Sequence, residues 1–178
     1  LDGPFAPDGL PDGSLDAGRN DLGMDRGPDG RSDLGSDGPL PDPCEGILPP
    51  EGCTVWSCDG SRSCYARCPA GRTWADAQVA CETWGGCLVS VSDAADQACL
   101  AEVGAVWIGY RQDPAAGEPA DGWSWVCGSG GFTAWLPGEP NNASCEGCGN
   151  VDEDCATSSP SGWGDGPCST TLAYVCAR

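Results

Sequence analysis

All 14 cysteines of this 178-residue chain lie between Cys44 and Cys176, and so do all eight tryptophans and all three tyrosines. An even count at this density reads as a disulfide framework, and paired thiols persist only in oxidising surroundings. Residues 44–178 are therefore expected to form one stapled domain. That domain is expected outside the reducing cytosol: secreted, periplasmic or anchored at a cell surface, a bacterial lipoprotein included.

Residues 1–43 are of a different kind. Aspartate recurs about every four residues, at Asp8, Asp12, Asp16, Asp21, Asp25, Asp29, Asp33 and Asp37, mostly beside glycine or proline. That period suits a helix stripe, but so many Gly and Pro residues cannot hold a helix. The few apolar residues cannot offset the entropy of ordering the segment. An EF-hand loop needs acids at alternate positions and a closing glutamate, and neither occurs. A disordered, self-repelling acidic linker is the expectation, ending at Asp42-Pro43-Cys44. The chain opens at Leu1 without methionine, which reads as a removed signal peptide or as a segment of a longer chain.

Charge narrows the function. Acids number 27 against 8 bases, for a formal net charge of −19, and histidine is absent. Every base is arginine. Without lysine or histidine the chain lacks the usual general base, the Schiff-base nucleophile and the commonest catalytic zinc ligand. Nucleic acid is excluded as a partner because its phosphates would be repelled. Hard cations that take oxygen ligands, Ca²⁺ above all, suit such a surface. No stretch approaches the roughly 20 apolar residues that span a bilayer.

Periodicity supplies a few elements. In Thr73–Thr83, Trp74, Ala77, Ala80 and Cys81 recur at helical spacing, and Gly85-Gly86 ends the pattern. Cys87–Val91 predicts a strand. Ser92-Asp93 caps a second helix over Ala94–Val103, and Ala105–Tyr110 predicts another strand. The remainder is rich in glycine, proline and asparagine, with short strands expected around Trp123–Val126 and Leu172–Cys176. The result is an α+β domain with a long loop region, clamped by cysteines and a metal.

An ordered series of motifs carries a family likeness: Cys64-Tyr65, Thr73-Trp74-Ala75-Asp76-Ala77 with Cys81, and Gly85-Gly86-Cys87-Leu88-Val89-Ser90-Val91. Trp107-Ile108-Gly109, Trp123-Ser124-Trp125, Trp135–Asn142 and Trp163-Gly164-Asp165 follow, with Cys155, Cys168 and Cys176. From Cys53 to Cys176 the chain resembles the C-type lectin-like domains. That likeness implies two helices, small antiparallel sheets and a long loop. It also implies disulfides Cys81–Cys176 and Cys155–Cys168, and an N-terminal hairpin pair such as Cys53–Cys64. Cys145 and Cys148 are expected to pair locally. Partners for Cys44, Cys58, Cys68, Cys87, Cys99 and Cys127 stay open. Zinc at Cys145-x-x-Cys148 lacks the second ligand pair it needs.

The resemblance also implies a site. Sugar-binding members hold Ca²⁺ with a Glu-Pro-Asn triplet, a further glutamate and an Asn-Asp pair after tryptophan. Ca²⁺ takes 6 to 8 oxygens, so positions remain for two sugar hydroxyls, and the same side chains hydrogen-bond those hydroxyls. Glu139, Pro140 and Asn141 match the triplet, with Pro140 expected cis. Glu153 is the further glutamate, with Glu146 as competitor, and Asp165 is the final acid. Glu139, Asn141, Glu153 and Asp165 are thus the expected metal and carbohydrate ligands.

Gly164 departs from the pattern, because glycine lacks the asparagine's oxygen and amide; a backbone carbonyl, water, Asn150 or Asp152 is the substitute. A second Ca²⁺ would draw on Asp113, Glu118 or Asp121. Trp74, Trp84, Trp107 and Trp163 are expected in the core.

The motif order resembles the mannose, fucose or N-acetylglucosamine type. The rival expectation is a Ca²⁺-independent protein-interaction or adhesion domain with a degenerate sugar site. Catalysis is not expected: the adjacent acids Glu153 and Asp154 point to opposite faces of a strand. Asn142-Ala143-Ser144 forms a glycosylation sequon.

Overall fold

The computed structural model describes residues 41–143 and 152–178. Nearly all of the expected linker, and Cys145, Glu146, Cys148 and Asn150, lie outside the described residues.

Two helices and eight strands follow one another as β1 (Thr54–Trp56), β2 (Tyr65–Arg72), α1 (Trp74–Thr83), β3 (Cys87–Leu88), α2 (Ala94–Ala101), β4 (Val106–Gln112), β5 (Trp123–Trp125), β6 (Cys155–Ser159), β7 (Gly162–Gly166) and β8 (Leu172–Ala177). The α+β class stands, with two helices in the expected places. Thr73 caps α1 by accepting the Asp76 amide, and Asp93 caps α2 by accepting those of Ala95 and Asp96. After α1 the chain turns through Gly85 at φ 89°, and the Gly86 amide closes back on the Cys81 carbonyl at 2.9 Å.

The strands join in one sheet, ordered β1-β2-β8-β4-β6-β7, with β3 on β8 and β5 on β4. Every pairing is antiparallel except β4–β8, where Trp107 meets Tyr174 in parallel. The β6–β7 hairpin, turned by Pro160 and Ser161, is the element the sequence hid best, for its strands are Ser- and Gly-rich. Gly162 is required there: at φ 137°, an added Cβ would lie 2.8 Å from the Ala134 carbonyl.

Two buried clusters fill the interior. One gathers Val89, Val91, Leu100, Val106, Ile108, Tyr110 and Trp163; the other gathers Trp74, Ala77, Leu88, Trp107 and Tyr174. Trp74, Trp107 and Trp163 are buried as expected, whereas Trp84 is only half-buried. The polar edge of each indole is used: Trp74 donates to the Ile108 carbonyl at 2.9 Å and Trp107 to that of Arg72 at 3.0 Å.

All twelve cysteines among the described residues are paired. Cys81–Cys176 and Cys155–Cys168 form as expected. The Cys53–Cys64 expectation is corrected: Cys53 pairs with Cys68, and Cys64 with Cys44. Hairpin register is the reason. Thr54 lies opposite Arg67, so Cys53 faces Cys68 and cannot reach Cys64. The two remaining bridges are Cys58–Cys99 and Cys87–Cys127.

Candidate functional site

The loop from Phe132 to Ala143 is laid along β7 by backbone bonds. Trp163 donates to the Ala134 carbonyl at 2.7 Å, and Leu136 donates to that of Trp163 at 2.8 Å. Beneath it, Trp123, Trp125 and Trp135 pack around Tyr110 and Trp163, with ring centroids 4.5 to 6.0 Å apart. A rigid aromatic floor thus carries the Glu139-Pro140-Asn141 triplet. The Glu139–Pro140 peptide is cis.

Docking on β7 sets Asp165 beneath the triplet. Both Asp165 carboxylate oxygens accept the Asn141 amide at 3.1 Å, and Oδ2 also accepts that of Asn142 at 2.7 Å. Asn142, in the left-handed region at φ 46°, turns its Oδ1 to accept the Glu153 amide at 2.9 Å. Asn141 spends its own Oδ1 on the Ala143 amide at 2.6 Å. Glu139, Asn141, Glu153 and Asp165 are thus linked in one neighbourhood.

Its electrostatics are unbalanced. Side-chain hydrogen bonding to Asp165, then burial, then the charges of Asp165 and Glu153, push the Glu139 carboxyl up to about 7. Burial and Asp165 also raise Glu153. Ionised, Glu139 keeps a buried Oε2 with no hydrogen-bond partner. Carboxylates crowded together with an orphaned oxygen match the chemistry of a hard cation. Among the described residues, however, no three or more Asp, Glu, Cys or His groups are placed so that together they could hold a metal ion. Asp165 is instead occupied by backbone amides.

Gly164 faces this cluster. A Cβ there would stand 3.7 Å from Thr157 Oγ1 and 3.9 Å from Glu139 Cδ, which is open space in ordinary contact. Asp152, one of the expected substitutes for the missing side chain, is exposed, and Asn150 lies outside the described residues.

A second acidic group sits alongside. Asp154 is buried, its Oδ1 has no partner, and burial and Asp152 raise its carboxyl while Arg111 lowers it. Gln112 Oε1, likewise buried, is also unpartnered, while its Nε2 donates to the Asp121 carbonyl at 2.8 Å. Asp113, Glu118 and Asp121 are exposed on the loop above. Asp154 and Gln112 escaped sequence reasoning. In the sequence Asp154 stands out only as the acid next to Glu153, and burial of Gln112 has no local signal.

A disulfide-rich α+β domain whose long loop holds an acidic cluster over an aromatic floor defines the C-type lectin-like class. Residues 70–178, more than half of the chain, match the family model of the lectin C-type domain, and the chain belongs to that family. It is 34% identical over 116 residues to human C-type lectin domain family 4 member K, an alignment covering 60% of this chain and 33% of that protein. The chain therefore spans about a third of that curated relative's length. Among solved structures, the cow C-type carbohydrate-recognition domain of CD23, solved in the presence of GlcNAc2Man3 oligosaccharide, superposes with a TM-score of 0.57 at 29% identity. That match covers 72% of this chain and 94% of that one. A calcium-independent type II antifreeze protein superposes equally, with TM-score 0.57, 26% identity and coverage of 72% and 92%.

Proposed function

We propose that residues 44–178 form a Ca²⁺-dependent, non-enzymatic carbohydrate-binding module. In this reading it works in an extracellular setting, and the acidic segment 1–43 presents it as a spacer. The observation that carries the proposal is the orphaned Glu139 Oε2 in a cluster of three carboxylates without a counter-charge. Glu139, Asn141, Glu153 and Asp165 are the residues that would hold the cation, which would offer its free positions to vicinal sugar hydroxyls. The Glu-Pro-Asn order favours mannose, fucose or N-acetylglucosamine. The cow relative solved with a mannose-containing oligosaccharide adds support. A second cation would draw on Asp113, Glu118 or Asp121, exposed on the neighbouring loop.

A second reading has its own support. Asp165 already closes the loop through the Asn141 and Asn142 amides, Gly164 supplies no ligand, and a structural neighbour is calcium-independent. In that reading the domain binds a protein ligand without metal. Calorimetric titration of chelator-treated protein with Ca²⁺, with and without mannose, separates the two. Saturable Ca²⁺ binding that tightens with mannose, both lost in Glu139→Ala, is the expected result. Absence of Ca²⁺ binding rejects the first reading and leaves the second.

A further inference from the structure

A cavity of about 380 Å³ shares no residue with the acidic site. It opens where the β1–β2 connection, β3, the entry to α2, the loop after β5 and the end of β8 meet. Covalent staples surround it. Cys58–Cys99 ties the connection to α2, Cys44–Cys64 closes the connection's far end, and Cys87–Cys127 forms part of the wall. None of the three is Cys81–Cys176, Cys155–Cys168 or the expected Cys53–Cys64. Three bridges converging on one hollow hold its shape before any ligand arrives.

The lining is rich in hydroxyls, and its hydrogen bonds can be accounted for. Tyr65 donates to Asp96 Oδ1 at 3.4 Å, and Asp96 Oδ2 accepts the Ser92 amide at 2.9 Å, so both Asp96 oxygens are engaged. Ser90 spends its proton on the Cys127 carbonyl and keeps its lone pairs. Among the described residues the Ser92 hydroxyl and the Arg62 guanidinium make no hydrogen bond, while Arg178 is steadied over Trp84 by a bond to its carbonyl at 3.1 Å. Two of the five arginines in residues 41–178 thus line one cavity in a chain of net charge −19.

We propose that this cavity is a second binding site, for a monosaccharide-sized hydroxy-carboxylate of the uronic acid type. Its carboxylate meets the Arg62 guanidinium, and its hydroxyls meet Ser90 and Ser92. Charge selects the class. With the Arg178 guanidinium held over Trp84 and both Asp96 oxygens engaged, the exposed Arg62 guanidinium is the uncommitted cation of the lining among the described residues, and one guanidinium matches one carboxylate. The volume falls in the range of small-molecule sites.

The test is calorimetry of the full chain in chelator, which silences any cation site, with D-glucuronate as probe. D-glucose and a phosphorylated glucose serve as neutral and dianionic comparators. Saturable glucuronate binding is expected. It should weaken about tenfold in Arg62→Gln, since a charge-assisted bond is lost, and less in Ser92→Ala. Both variants should keep the parent melting temperature. No glucuronate binding, equal binding of either comparator, or binding indifferent to Arg62→Gln overturns the proposal.

Discussion

The side-chain oxygen of Asn142 accepts the backbone amide of Glu153 at 2.9 Å, joining the Glu-Pro-Asn loop to the approach of β6. The same residue donates its own amide to Asp165 at 2.7 Å, so one side chain and one peptide hold three parts of the site in register. Because Asn142 sits at φ 46°, glycine is the substitution that removes the bond without adding backbone strain. Asn142→Gly is expected to cost about 1 kcal/mol of stability and to weaken Ca²⁺ binding several-fold. Thermal melts beside calorimetry check both; unchanged Ca²⁺ affinity would show that the bond positions nothing.

Restoring the missing side chain should strengthen the site. The space before Gly164 admits a Cβ at 3.7 Å from Thr157 Oγ1 and 3.9 Å from Glu139 Cδ, so Gly164→Asn brings an amide oxygen to the cluster without a clash. Ca²⁺ affinity should rise about tenfold if that oxygen becomes a ligand. An unchanged or lowered affinity in a variant of normal melting temperature counts against the proposed ligand set.

Acidity should act with opposite sign on the two states of the domain. The Glu139 carboxyl is pushed up to about 7 from its ordinary 4.5, chiefly by side-chain hydrogen bonding to Asp165. Its contribution to stability is therefore complete below 4.5 and is lost as pH rises through 7. In chelator the melting temperature should fall as pH rises across that window, and Glu139→Gln should flatten the slope. Ca²⁺ competes with the proton, so Ca²⁺ affinity should fall as pH drops below 7. A chelator profile that climbs across the same window would refute the raised Glu139 carboxyl.

The Cys87–Cys127 bridge closes a sequence separation of 40. Loop-closure entropy puts its loss at about 4 kcal/mol. Cys87→Ala with Cys127→Ala should lower the denaturation midpoint accordingly while leaving Ca²⁺ affinity within a few-fold, since neither cysteine borders the acidic cluster. A large fall in Ca²⁺ affinity at retained fold would tie the bridge to the long loop. Replacing Trp163, buried in the aromatic floor, should do that instead, at about 3–5 kcal/mol.

Much of the architecture was written locally. The 3.6-residue spacing of Trp74, Ala77 and Cys81, and the capping residues Thr73 and Asp93, announce both helices. The apolar run Val106–Tyr110 announces the central strand. The disulfide-rich class follows from cysteine count alone. The bridges do not, since pairing is set by distance in space: Cys53 faces Cys68 only through hairpin register. The Ser/Gly-rich β6–β7 hairpin carries no propensity signal and exists because β4 and the Ala134–Leu136 segment pair with it.

The site divides the same way. The resemblance in motif order is what singles out Glu139, Asn141, Glu153 and Asp165 as the expected ligands. Only the tertiary structure decides that Asp165 is held by backbone amides, that Glu139 keeps an unpartnered buried oxygen, and that Asp154 and Gln112 share that condition. Burial and hydrogen-bond satisfaction depend on which distant segments close over an atom, and no local pattern encodes that.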